Sequence, residues 1–201
     1  AHPITLGGHR WDVIVGRGHA PEHASLWCPE LNVLIAGDQV LPKISTNVGI
    51  WPNEPLADAL TWFLDGFSRF RRLPADALIL PSHGFPFVGL HTRLDQLVAH
   101  HDARLNDMAT SIAQRGPING NAGGATGWDM VPVLFPRHLD NNQVVFAFGE
   151  TLAHLHCLET RARVKRVVTA DGVHRFVALV DADSQPPADD SDTDVMDVGQ
   201  T

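Results

Sequence analysis

Gly18-His19-Ala20-Pro21-Glu22-His23 follows an apolar run, Trp11 to Val15, and two later segments answer it. They are Gly37-Asp38 after Asn32 to Ala36, and Pro81-Ser82-His83-Gly84 after Ala77 to Leu80. Each is a turn offering an imidazole or a carboxylate just past an apolar run of strand length. Open α/β sheets keep their ligand sites at strand ends, and imidazoles with a carboxylate suit borderline divalent cations. The three turns predict a metal site, with His19, His23, Asp38 and His83 as candidates.

Outward from these turns, Ile4 to Leu6 and Arg10 to Val15 flank Gly7-Gly8, a hairpin signal. Ser25 to Cys28 and Asn32 to Ala36 pair around Pro29-Glu30. After a loop rich in Pro, Asn and Gly (41–55), Leu56, Ala59, Leu60, Phe63, Leu64, Phe67 and Phe70 fall at helical spacing. Pro74 ends that helix, and a second is expected from about Leu90 to Gln114, with His101 on its apolar stripe as a core or boundary histidine.

Residues 116–127 turn to Gly, Asn and Pro, a linker composition. Asp140-Asn141-Asn142 then caps a helix carrying Val144, Phe148, Leu152, Leu155 and Leu158 on one face. Val164 to Thr169 and Val173 to Val180 flank Asp171-Gly172, a hairpin. A helix followed by a two-stranded wing predicts a winged-helix module over 128–180, joined by the linker to a domain over 1–115. His154 and His156 lie two apart in a helix and point away from each other, so they read as one core and one surface histidine.

With 201 residues and 44 % hydrophobic content the chain supports one good core, or a core with a small module. Seven of its 23 acidic residues lie in 181–201, an aspartate-rich stretch without a single basic residue, expected as a disordered tail. Without that stretch the balance against 15 basic residues is near neutral. No apolar run is long enough to cross a bilayer and no leader precedes residue 1, so a soluble cytoplasmic protein without membrane partners is expected. Cys28 and Cys157 are far apart and read as reduced core residues. Twelve histidines are many for this length and agree with metal chemistry.

The three turns, in this order and spacing, resemble the C-terminal half of the metallo-β-lactamase superfamily over residues 4–112. Phe148-Gly149-Glu150-Thr151-Leu152-Ala153-His154-Leu155, with the basic stretch and hairpin after it, is similar to the winged-helix domain of that superfamily's β-lactamase-like-protein-2 branch. The resemblance implies an α/β fold, the C-terminal half of an αββα sandwich plus a winged-helix module. It implies two divalent metal ions, zinc first, with iron or manganese as alternatives, and a bridging hydroxide that attacks an ester or thioester. Carried over by position, His23 is the last histidine ligand of one metal, Asp38 the bridging and catalytic carboxylate, and His83 the last histidine of the other. His19 stands beside the ligands rather than on a metal.

The family's leading motif, His-x-His-x-Asp-His, does not occur in this chain. The chain is therefore expected to be a fragment of a longer hydrolase and inactive alone, its partners being the N-terminal half of the same fold and a small ester or thioester. An uncovered sheet face would promote self-association into a homo-oligomer. The segment from Gln39 to Asn47 lacks the pattern by which glutathione-thioester hydrolases of the family recognise glutathione, while Lys43, Ser45 and Asn47 stand within reach of the pocket. Two alternatives carry weight: a ribonuclease meeting nucleic acid through Arg161, Arg163, Lys165 and Arg166, and a non-catalytic assembly module.

Overall fold

Val33-Leu34-Ile35-Ala36 alternates between two faces, as the period of a strand requires: Leu34 and Ala36 are fully buried while Ile35 is 37 % exposed. In the computed structural model, which describes residues 2–120 and 123–179, this segment is the fourth strand of a five-stranded sheet. β1 (Ile4–Leu6), β2 (His9–Gly16), β3 (His23–Cys28) and β4 (Val33–Gly37) follow one another antiparallel. β5 (Leu78–Pro81) joins β4 in parallel, because α1 (Ala59–Phe70) provides the crossover that a parallel pair needs.

The register sorts the sheet's side chains into two rows. Trp27, Leu34 and Ile79 lie side by side on the inner face and are buried. Val13, Leu26, Ile35 and Leu80 form a second apolar row on the opposite face, which the described residues leave partly open.

The inner row meets Leu60, Phe63, Phe67 and Phe70 of α1, with the Phe63 and Phe67 rings 4.9 Å apart edge to face. Each buried phenylalanine contributes about 1.5–3 kcal/mol. Leu56 does not share this face. It precedes the helix and is 75 % exposed, because Asp58 occupies the N-cap position and the chain before it turns outward.

α2 (Leu90–Gln114) keeps the expected stripe buried from Leu90 to Ile112, His101 included. Beyond it, part of the segment expected as linker is built into the fold. Ala125 exchanges backbone hydrogen bonds with Phe176, and Thr126 caps α3 (Gly127–Leu134), a helix that composition concealed behind Gly127 and Pro132. The capping box of Thr126 with Asp129 overrides those two breakers.

α4 (Asn141–Thr160) begins on the expected Asp140 cap, and β6 (Val164–Val168) and β7 (His174–Ala178) form the expected hairpin. The buried side of α4 is broader than the predicted stripe. Glu150, His154 and His156 are all buried, so the expectation of a surface histidine there is corrected: His156 donates from Nδ1 to the Ala57 carbonyl at 2.9 Å. One contiguous buried cluster includes Leu34, Phe63, Leu105, Leu158 and Phe176, and so runs on both sides of residues 116–127. The acidic stretch 181–201 and Val180 lie outside the described residues.

Candidate metal centre

His23 opens β3, Asp38 follows β4 and His83 follows β5, and strand directions bring all three turns to one edge of the sheet. Gly16, opposite His23 in the register, carries the Gly18-His19 turn to the same edge. The backbone locks the turns together, as Ser82 N–H donates to the Gly37 carbonyl at 3.0 Å.

Asp38 is the centre of the group. Its Oδ1 lies 3.4 Å from Nε2 of His83, and its Oδ2 lies 3.6 Å from Nε2 of His19. Both separations exceed an ordinary hydrogen bond. His19 Nδ1 sits 2.8 Å from the Asn47 carbonyl, which can only accept, so Nδ1 carries the proton of the neutral ring. Nε2 then presents a lone pair to a carboxylate oxygen, a pairing that favours a cation between them.

His23 is held by the backbone of the neighbouring turn. Its Nε2 accepts the backbone N–H of Asp38 at 3.1 Å, and its Nδ1 is buried without a partner. Burial, reinforced by His19 and opposed by Asp38, lowers its pKa and keeps the ring neutral near pH 7. Gly37 makes this packing feasible: its φ is +58°, and a Cβ there would lie 2.6 Å from Cε1 of His23.

The donor chemistry of His19, Asp38 and His83 fits a divalent cation, two imidazoles flanking a carboxylate, while His23 as placed has its Nε2 lone pair occupied by the Asp38 N–H. The number of donors does not complete a cage. Among the described residues no group of three or more His, Cys, Asp or Glu side chains is disposed to enclose a metal ion.

Sequence reasoning named Asn47 beside the pocket but missed Thr46 and Glu150 in the layer behind the site. Thr46 donates its hydroxyl to the Asp38 carbonyl, and the Asn47 amide donates to Oε2 of Glu150 at 3.2 Å, 103 residues away in sequence. A lone glutamate in an otherwise apolar stretch of helix was the available signal. His101 and His154 belong to the packing of α2 on α4, and His156 bonds the Ala57 carbonyl ahead of α1.

Residues 3–83 match the family model of the metallo-beta-lactamase superfamily, and residues 121–179 match that of the metallo-beta-lactamase-like C-terminal domain. The chain belongs to the metallo-beta-lactamase superfamily. A beta-lactamase domain protein from Burkholderia ambifaria superposes with a TM-score of 0.81 at 40 % identity, over 89 % of this chain and 50 % of that one. A metallo-beta-lactamase family protein from Thermus thermophilus gives 0.74 at 32 %, over 89 % and 52 %. The chain thus spans about half the length of these superfamily structures. Among curated proteins no match was found.

This is a mixed α/β superfamily whose members are in general metal-dependent hydrolases binding divalent metals. No helix among the described residues is long and apolar enough to cross a membrane.

Proposed function

We propose that the chain supplies the C-terminal share of a dinuclear metal hydrolase site, with His23, Asp38 and His83 as ligands and His19 orienting Asp38. The observation that carries this reading is the Asp38 carboxylate set between two imidazoles, one on each oxygen. The ions are two divalent cations, zinc first and iron or manganese as alternatives, and when bound they polarise a scissile carbonyl and activate water. The chain's own groups prepare for this. Asp38 supplies the negative charge, His23 stays neutral, and His19 keeps its proton on Nδ1 so that Nε2 remains an acceptor. The other ligands are assigned to the N-terminal half of the fold, which would cover the row Val13, Leu26, Ile35 and Leu80.

The substrate in this reading is a small ester or thioester with an apolar acyl part. A cleft of about 420 Å³ lined by Pro42, Lys43, Ile44, His83, Phe85 and Phe87 opens beside the site and supports that class. Three of the four basic residues that favoured a ribonuclease are already engaged: Arg161 with Asp102 at 2.9 Å, Arg163 with Asn106 at 2.8 Å and Arg166 with Glu159 at 3.2 Å. That engagement supports a structural role for them and favours the small-molecule reading.

The test is elemental metal analysis and hydrolysis of a panel of acyl esters and thioesters by the full-length protein containing this chain. About two metals per chain and turnover lost in Asp38→Ala are expected. Unchanged turnover in that variant would overturn the reading, and a metal-free, inactive full-length protein would leave the assembly module in its place.

A further inference from the structure

Glu150 is the buried charge that the proposed chemistry does not use. It is 6 % exposed, in the middle of α4, where a carboxylate is costly to bury unless partners hold it and an apolar residue is not. We propose that Glu150 is a positioning residue for the metal centre, acting through Asn47; this rests on the hydrolase reading above.

The contacts step from the Glu150 carboxylate through Asn47 to His19, which stands 3.6 Å from Asp38. Glu150 Oε2 accepts the Asn47 amide at 3.2 Å, while Oε1 takes Arg104 of α2 at 3.4 Å. Asn47 links the two through different groups, since its side-chain amide meets Glu150 while its backbone carbonyl receives the Nδ1 proton of His19 at 2.8 Å. His19 in turn faces Oδ2 of Asp38. Thr46, next in the chain, bonds the backbone carbonyl of Asp38 itself. Two consecutive loop residues therefore grip the two residues at the core of the site.

The same loop is pinned to α4 a second time. Ile50 N–H donates to the Gly149 carbonyl at 2.9 Å, which brings the backbones so close that a Cβ on Gly149 would lie 3.1 Å from the Ile50 oxygen. With Gly149 and Glu150 each holding it, the loop cannot rotate its Asn47 carbonyl away from His19. The direction of that carbonyl selects the His19 tautomer, and partners of this outer kind set ligand orientation and basicity. On this view α4 is part of the catalytic framework, not an appendage to it.

The experiment compares wild type, Glu150→Gln, Glu150→Ala and Asn47→Ala in the full-length protein. Glu150→Ala and Asn47→Ala are expected to lower kcat about 10- to 100-fold with KM and metal content little changed. Glu150→Gln, whose Oε1 still accepts the Asn47 amide, is expected to recover most of that loss. Asn47→Ala leaves the Glu150 and Arg104 pair intact, so it remains informative if Glu150→Ala folds poorly. The second readout is nitrogen-15 NMR of the His19 ring, which needs no turnover. Wild type should show a protonated Nδ1 and a bare Nε2, and both alanine variants should average the two nitrogens. Alanine variants that lose melting temperature but keep kcat and the His19 ring shifts would overturn the proposal. If wild type proves inactive, the hydrolase reading fails separately and the ring shifts alone decide: a changed tautomer supports positioning, an unchanged one overturns it.

Discussion

His101 donates its Nδ1 proton to Nε2 of His154 at 3.3 Å, and His154 donates from Nδ1 to the Glu150 carbonyl at 2.8 Å. Both rings are fully buried, and burial, reinforced by neighbouring positive groups, pulls their pKa values to about 2 and about 3. Between those values and 6.5 the unfolded chain binds protons that the folded chain refuses. Stability is therefore expected to fall as the pH drops below 6.5, by about 2 kcal/mol per histidine at pH 5. Glu150, whose carboxyl burial raises above its usual 4.5, acts in the opposite sense and offsets part of the loss. Urea unfolding at pH 7.5 and 5.0 checks this, and equal unfolding free energies would contradict it.

Gly37→Ala puts a methyl group where the His23 ring already lies and forces an alanine to φ +58°. A loss of about 1–2 kcal/mol is expected, with a drop in metal content of the full-length protein. Circular dichroism melts alongside elemental analysis measure both, and a variant with normal melting and normal metal would contradict the packing described.

Asp140 accepts the backbone N–H groups of Asn142 and Gln143 at 2.9 and 2.8 Å, and the Gln143 side chain returns the bond. Asp140→Ala is expected to cost about 1 kcal/mol, a fall of about 2–4 °C in Tm. Differential scanning calorimetry measures it.

Chelation should separate the full-length protein from this chain alone. A cation held only in the assembled site stabilises only that form, so EDTA is expected to lower the Tm of the full-length protein and leave that of the chain unchanged. An equal fall in both would mean that the chain encloses the ion by itself, against the donor count found among the described residues.

Much of the fold was legible because periodicity reports burial directly. The α1 stripe from Ala59 to Phe70, the α2 stripe from Leu94 to Ile112 and the Asp171-Gly172 turn all stand where spacing placed them. The three turns at the sheet edge were visible because glycine and histidine keep their local chemistry in any context. α3 was hidden, since Gly127 and Pro132 read as breakers and only the Thr126 cap outweighs them. The polar side of α4 was hidden for another reason. Glu150 pairs with Asn47 and Arg104 across 103 and 46 residues, and His101 pairs with His154 across 53, separations at which no local pattern survives.

The buried cluster that joins Leu34 and Phe63 to Leu158 and Phe176 predicts that the described residues unfold as one cooperative unit. Denaturant should drive a single transition, reported alike by Trp27 in the sheet and Trp128 in α3. A protease cut near the exposed Pro117 would leave two pieces held by burial rather than by backbone.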